Sequence, residues 1–171
     1  MEQNKIRLRP LISAIIIFAL VLLDQLSKYF AYEKLSDTPM GVSVINGVFS
    51  LYYVENTGIS FSLLDNKMTL IIIITLVISL LLIYVLIKTP KLKYYMPLTV
   101  TLSVVIAGAI GNLIDRIFRG YVIDFIKPDF VNFAIFNVAD IYVCVGLFVL
   151  IILILFKYKD KDFDYIFKKG K

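Results

Sequence analysis

Four long apolar stretches follow one another along the chain, separated by shorter segments that carry most of the charges. They extend from about residue 11 to 30, 68 to 87, 97 to 117 and 139 to 156. Each is close to the roughly 20 residues that an α-helix needs to cross the hydrocarbon core of a bilayer. Because backbone groups in lipid must be hydrogen-bonded internally, the pattern predicts an all-α membrane protein with four transmembrane helices. We expect a single integral membrane domain over residues 1–171.

A different pattern lies between the first two apolar stretches. Residues 42–45 and 48–54 are rich in β-branched and aromatic side chains, and Asn46-Gly47 between them is a typical hairpin turn. The segment 31–67 is therefore predicted to be a loop that contains a small β-sheet between helices 1 and 2.

Composition narrows the chemistry that the chain can perform. It is 60% apolar with a mean hydropathy of +0.86, as expected for a protein of the bilayer, and it has no histidine. Histidine-based triads and Cys/His zinc sites are thereby excluded, and the single cysteine, Cys144, has no partner for an internal disulfide. We expect Cys144 to be a small core residue. Carboxylates, a Ser/Lys pair or a metal held by oxygen ligands remain for hydrolysis.

The basic residues predict the orientation in the membrane. Lys and Arg number 18 against 13 Asp and Glu, and loops rich in Lys and Arg stay on the cytoplasmic side. Twelve of the 18 flank the first, second and fourth stretches on one side: Lys5, Arg7, Arg9, Lys88, Lys91, Lys93, Lys157, Lys159, Lys161, Lys168, Lys169 and Lys171. We expect both termini and the tail 157–171 to be cytoplasmic, and the loops 31–67 and 118–138 to lie outside. Orientation explains the basic surplus, so no nucleic-acid partner is expected.

Several polar residues gather at the outer ends of the apolar stretches. An ionisable group in a transmembrane helix is costly, which makes it a candidate for function. Asp24 and Lys28 are four residues apart and share a helix face, as do Asn112 and Arg116. The first pair is compatible with an ion pair or with a direct role in chemistry. Asp115 is interpreted as part of a charge pair that ties the third helix to its neighbours.

Asp124 and Asp140 are each a lone carboxylate among apolar neighbours. Burial raises the pKa of a carboxyl group, and two carboxyl groups held close share a proton. One then takes a proton from water while the other polarises the scissile carbonyl and later protonates the leaving amine. The loop between the last two helices is short enough to let them meet, and Asn137 shares a helix face with Asp140. Asp129 is expected to be solvated.

Two other functions compete with this interpretation. A Ser/Lys peptidase would use Ser60 or Ser62 with Lys28 or Lys67. A small membrane transporter or ion-conducting protein would also carry intramembrane charges. Transporters usually place such charges near the midplane or have repeated halves, whereas here the charges cluster at one face.

Five sequence blocks together resemble the lipoprotein signal peptidases, also called signal peptidase II. The blocks are DQLSK at 24–28, NTGISF at 56–61, GNLIDR at 111–116, VIDF at 122–125 and FNVAD at 136–140. The resemblance extends from about residue 11 to 156. Ile59 and Ser60 stand where the family often has small residues such as alanine, and Ser27 replaces a frequent threonine.

The resemblance implies an aspartyl endopeptidase that removes the signal peptide from a prolipoprotein, cutting before a diacylglyceryl-modified cysteine. Asp124 and Asp140 match its catalytic pair, and Asp24 with Lys28 matches a supporting polar pair. Other matched positions bind substrate or orient the catalytic pair: Asn56, Gly58, Asn112, Arg116 and Asn137.

The resemblance also implies a location and a set of partners. We expect a multi-pass protein of the bacterial cytoplasmic membrane with its active site near the outer leaflet, acting on a lipid-bearing prolipoprotein among membrane lipids. No cofactor and no metal is expected, and a short self-sufficient bundle favours a monomer. The Gly-x-Gly-Asp pattern of presenilin-like aspartyl proteases is missing from the sequence.

Overall fold

The computed structural model describes residues 7–58 and 67–167, so Ile59, Ser60 and Ser62 lie outside the described residues. The long helices are α1 (Arg9–Leu35), α2 (Met68–Lys88), α3 (Met96–Phe118) and α4 (Val138–Phe156), and α5 (Asp164–Phe167) is a single turn. The strands are β1 (Val42–Ile45), β2 (Phe49–Asn56) and β3 (Val122–Pro128). Two 3₁₀ turns, Lys93–Tyr95 and Asp160–Phe163, precede α3 and α5.

Among the described residues, four helices are long and apolar enough to cross a membrane, which confirms the predicted class of fold. Their bounds agree with the prediction to within two residues, except that α1 continues to Leu35. The extra turns are stabilised by packing, because Ala31 and Leu35 are buried against Ile123 and Phe125 of β3. The predicted single domain over residues 1–171 stays a prediction.

Helix α3 is the central helix of the bundle. In the part of the chain that the structure describes, 61% of its apolar stretch is buried, against 11% to 17% in the other three long helices. It packs against α1, α2 and α4. Small residues bring α3 close to α4: a methyl carbon added at Gly108 would lie 2.5 Å from the carbonyl oxygen of Ala139, and one at Gly146 would overlap Val105.

The predicted hairpin is present and the sheet has a third strand. Gly47 adopts a φ of +73°, and the Val48 N–H donates to the Ile45 carbonyl at 2.9 Å. β3, which comes from the loop between α3 and α4, pairs antiparallel with β2 to give the order β1-β2-β3. The sequence pattern predicted only the hairpin. This pairing brings the two loops expected to be outside together at one end of the bundle.

The opposite end is closed by the segment after α4. Tyr94, Tyr95 and Tyr158 contact one another through their rings, and the Tyr95 hydroxyl donates to the carbonyl of Asp162 at 3.0 Å. The hydroxyls of Thr89 and Tyr165 lie 3.2 Å apart. Residues 157–167 are therefore folded back on the end of α2 and the start of α3.

The expectation for Cys144 was wrong, because its side chain is exposed on the outer surface of α4. The face of α4 that packs on α3 carries Ala139 and Gly146, seven residues apart. Cys144 precedes Gly146 by two residues, which turns it by about 200° to the other side of the helix.

Substitution of Gly108 by alanine is expected to destabilise the bundle. The added carbon meets the backbone oxygen of Ala139, which cannot rotate away, so α3 and α4 must move apart. We expect Gly108→Ala to cost about 1–3 kcal/mol and to lower Tm in detergent. Cys144→Val, which adds volume on the exposed face of α4, is the control and should leave Tm unchanged; equal Tm values for both variants would contradict close packing at Gly108.

Candidate functional site

The nine residues predicted for the site form one connected hydrogen-bonded network at the end of the bundle that carries the sheet. They are Asp24 and Lys28 of α1, Asn56 and Gly58 at the end of β2, Asn112 and Arg116 of α3, Asp124 of β3, and Asn137 and Asp140 at the start of α4.

Asp124 is held on the sheet by two side-chain amides. Val54 of β2 is paired with Asp124 of β3, so their side chains lie on the same face of the sheet. Asn56 is two residues further along β2, and its side chain therefore lies on the face that carries Asp124. Asn56 Nδ2 donates to Asp124 Oδ2 at 2.8 Å, and Asn137 Nδ2 donates to Oδ1 at 2.6 Å. Both carboxylate oxygens of this side chain, which is only 3% exposed, are therefore occupied.

Asp140 is the third residue of α4 and forms a capping box with Asn137. The Asp140 N–H donates to Asn137 Oδ1, and the Asn137 N–H donates to Asp140 Oδ2, both at 3.1 Å. Asn112 Nδ2 from α3 donates to the other carboxylate oxygen at 2.8 Å. The start of α4 therefore fixes the orientation of a half-buried carboxylate.

Asn137 links the two aspartates. Because its side-chain oxygen accepts the Asp140 N–H, its amide nitrogen is directed to Asp124. The residue before it, Phe136, is bonded to Ile126 of β3 through Phe136 N–H to Ile126 O at 3.0 Å and Ile126 N–H to Phe136 O at 2.8 Å. The chain thus turns back along β3 and delivers Asn137 beside Asp124.

Burial raises the pKa of Asp124 to about 6, and the nearby carboxylate of Asp140 contributes in the same direction. The hydrogen bonds from Asn56 and Asn137 and the charge of Lys28 oppose this rise. A carboxyl group with such a pKa holds or releases a proton near neutral pH, as acid–base catalysis requires.

Lys28 is at the centre of a buried ion cluster. Its Nζ lies 2.9 Å from Asp24 Oδ2, 2.9 Å from Asp115 Oδ2 and 2.8 Å from Asn112 Oδ1, so its three N–H donors each have an acceptor. Lys28, Asp24 and Asp115 have no exposed side-chain surface. The Asp24–Lys28 ion pair, one of the two alternatives for these residues, is present, and Asp115 ties α3 to α1 as expected.

Asp24 also forms a hydrogen bond with α4, a contact that was not predicted from the sequence. Its Oδ1 accepts the backbone N–H of Ala139 at 3.0 Å, one of the donors that a helix start leaves without an intrahelical partner. A carbon at Gly111 would lie 2.5 Å from Asp24 Oδ2, so this position on α3 has no room for a side chain unless Asp24 shifts.

Two further residues of the network were missed, Gln25 and Arg119. Gln25 Nε2 lies within hydrogen-bond distance of Asp24 Oδ2, the Gly111 carbonyl and Asp115 Oδ1, at 3.1 to 3.2 Å. Arg119 forms an ion pair with Asp115. Two features of the sequence could have indicated them. Gln25 lies within the DQLSK block, and Arg119 is four residues after Asp115, which places both side chains on one face of α3.

Arg116 joins α3 to the segment after β2. Its guanidinium Nη2 donates to the Gly58 carbonyl at 3.1 Å, and the Gly58 N–H donates to Asn56 Oδ1 at 2.9 Å. Arg116 is 8% exposed, and its Nε has no hydrogen-bond partner among the described residues. Within the described residues, the guanidinium of Arg116 therefore has one buried donor that is not paired.

The described residues offer little to the competing chemistries. Over residues 7–58 and 67–167, no group of three or more His, Cys, Asp or Glu side chains is arranged to hold a metal ion. Of the two lysines considered for a Ser/Lys pair, Lys28 is bonded to carboxylates and Lys67 is exposed before α2. The expected exposure of Asp129 is correct, although its Oδ2 accepts the Ser50 hydroxyl at 2.6 Å.

Comparison with known proteins identifies a family. The family model described as signal peptidase (SPase) II matches residues 16–156. The lipoprotein signal peptidase of Caldanaerobacter subterraneus subsp. tengcongensis is 47% identical over 139 residues, covering 80% of this chain and 92% of that protein. The lipoprotein signal peptidase of Enterococcus faecalis is 46% identical over 130 residues, covering 75% of this chain and 78% of that protein.

Solved structures agree with this result. One bacterial membrane enzyme superposes with a TM-score of 0.79 at 31% identity, covering 98% of both chains. A second superposes with a TM-score of 0.72 at 30% identity, covering 91% of this chain and 98% of the other. The match of family, sequence and fold extends over most of the chain, and the transporter interpretation is not favoured. The chain belongs to the signal peptidase II family and is a multi-pass protease of the bacterial membrane.

Proposed function

We propose that this chain is an aspartyl endopeptidase that removes signal peptides from bacterial prolipoproteins, cutting before a diacylglyceryl-modified cysteine, with Asp124 and Asp140 as the catalytic pair. The observation that carries the proposal is the position of the two carboxylates, which both bond to Asn137: its side-chain amide donates to Asp124 Oδ1, and its backbone N–H donates to Asp140 Oδ2. The names of the similar proteins, lipoprotein signal peptidases, support the class of substrate.

The two aspartates lie in different environments, and we use this difference to assign one as the base and the other as the acid. Asp140 lies in the first turn of α4, where backbone N–H groups and the helix dipole stabilise a negative charge. Burial raises the pKa of Asp124 to about 6, so this carboxyl group can hold a proton near neutral pH. Asp140 therefore acts as the base and Asp124 as the acid.

Cleavage then follows from one proton shared between the pair. Asp140 takes a proton from water as the water oxygen bonds to the scissile carbonyl carbon, and Asp124 gives its proton to the carbonyl oxygen. In the resulting gem-diol, Asp124 takes back a hydroxyl proton and Asp140 protonates the leaving amide nitrogen as the C–N bond breaks. The pair returns to its original protonation state, and the step needs no metal or organic cofactor.

Substrate binding is assigned to Arg116, Asn56 and Gly58. The unpaired Nε of Arg116 is a donor suited to a backbone carbonyl of the signal peptide, and Asn56 and Gly58 hold the segment beside it. The distribution of basic residues supports cytoplasmic termini and a site near the outer leaflet, where a lipid-anchored cysteine resides. A monomer suffices, because both aspartates belong to one chain.

Replacement of either aspartate should abolish cleavage without unfolding the protein. We expect Asp124→Asn and Asp140→Asn to cut a diacylglyceryl-modified prolipoprotein at least about 10³-fold more slowly, since each removes one half of the acid–base pair. Asp129→Asn, an equally small change at an exposed carboxylate, is the control and should cut normally, with or without a chelator. Cleavage by both dyad variants at the parent rate would contradict the assignment.

The pH profile should report the raised pKa of Asp124. Since the acid form of this group is required, kcat/KM should fall as the pH rises above about 6. The hydrogen bond from Asn56 stabilises the ionised form, so Asn56→Ala should raise the pKa and move this limb to higher pH. The measurement is kcat/KM of parent and variant at constant ionic strength. If kcat/KM instead rises with pH through about 6, and this acid limb is the one that moves in Asn56→Ala, Asp124 has the opposite role.

Asn112 should act as a positioning residue through Asp140. It accepts from Lys28 and donates to Asp140, so Asn112→Ala removes one of the groups that aim the carboxylate. We expect kcat to fall about 10- to 100-fold with little change in KM. A variant that raises KM at unchanged kcat would instead indicate that Asn112 binds substrate.

A further inference from the structure

A cavity of about 390 Å³ lies between α1 and α2 at the end of the bundle away from the aspartates. Most of its wall is apolar, including Ile17 of α1 and Leu86 and Ile87 of α2, and two cations, Arg9 and Lys91, also line it. Arg9 precedes Asp24 by 15 residues of helix, or about 22 Å. The cavity is therefore remote from the proposed catalytic pair.

Arg9 is a buried cation without a matching anion. It is only 3% exposed, and the hydrogen bond of its side chain runs from Nη1 to the neutral hydroxyl of Thr99 at 3.3 Å. Among the described residues its Nε has no hydrogen-bond partner, and no carboxylate forms an ion pair with it. Because a buried guanidinium is costly unless an anion compensates it, the site lacks a negatively charged group.

We propose that this cavity binds one anionic membrane phospholipid, with the phosphate between Arg9 and Lys91 and an acyl chain along the apolar wall. Basic pockets between transmembrane helices suit anionic head groups. Ile87 lines the cavity and is 71% exposed, so the apolar wall continues to the outer surface of the bundle where lipid lies. A free phosphate ion would leave that wall unfilled, which favours a lipid as the occupant.

The proposed orientation places this lipid in the cytoplasmic leaflet. Lys88, Lys91 and Lys93 lie at the same end of the bundle and belong to the side predicted to face the cytoplasm. The lipid would bridge the start of α1 and the end of α2. Its binding does not require catalysis, so the proposal is independent of the proposed function.

Native mass spectrometry of the full chain in detergent tests the proposal with two lipids that have identical acyl chains. We expect one phosphatidylglycerol to bind about tenfold more tightly than phosphatidylcholine, and Arg9→Gln and Lys91→Gln each to weaken phosphatidylglycerol about fivefold or more. Lys93→Gln removes an equal charge from an exposed lysine nearby that does not line the cavity, and it should bind as the parent does.

Three outcomes would overturn the proposal. Equal affinity for the two lipids would mean that the net negative charge of the head group does not contribute to binding. An equal loss in Lys93→Gln and Lys91→Gln would mean that general surface charge attracts the lipid. Displacement of the lipid by millimolar inorganic phosphate would assign the site to a free anion. If Arg9→Gln fails to fold, Lys91→Gln decides alone, because Lys91 is exposed and its loss leaves no buried group unpaired.

Discussion

Lys28 and its carboxylate partners, Asp24 and Asp115, form an ion cluster from which water is excluded. Two anions face two cations, because Arg119 forms an ion pair with Asp115 and supplies the second positive charge. Removing one member of a buried cluster leaves an uncompensated charge, which typically costs about 3–5 kcal/mol. α1 and α3 are therefore held at one separation and one rotation. The remaining oxygen of Asp24 binds the Ala139 N–H, so the same cluster also fixes the start of α4.

The geometry of the candidate dyad depends on this constraint. α4 begins with two external acceptors, Asn137 Oδ1 and Asp24 Oδ1, which satisfy the N–H groups of Asp140 and Ala139. Asp140 can then neither rotate about the helix axis nor move along it without breaking one of these bonds. Asp124 is held from the other side by the sheet. The two carboxylates therefore lie on separate rigid elements, and Asn137 connects them. A fixed relative position of this kind is the preorganisation that acid–base catalysis requires.

Features encoded locally in the sequence were predictable, and those that depend on distant pairing were not. The length of the apolar stretches predicted the four helices, and Asn46-Gly47 predicted the turn of the hairpin. β3 contains Asp124, Lys127 and Pro128, and it becomes a strand because β2 pairs with it, a contact between segments about 70 residues apart. Likewise, helical spacing indicated the Asp24–Lys28 pair, but nothing in the sequence indicates that Lys28 has three acceptors or that Asn137 contacts both aspartates.

The ion cluster also bears on which hydrolytic chemistry the site can perform. A Ser/Lys mechanism needs a neutral amine whose lone pair accepts the proton of serine. Lys28 Nζ contacts two carboxylates and an amide oxygen, so all three of its N–H donors are used within the buried cluster. Lys28 thus holds α1 and α3 together, and the carboxylates of Asp124 and Asp140 are the acidic groups that lie beside Asn137. Through Asn112, which accepts from Lys28 and donates to Asp140, the same cluster also fixes the carboxylate that the proposed aspartyl mechanism would use as its base.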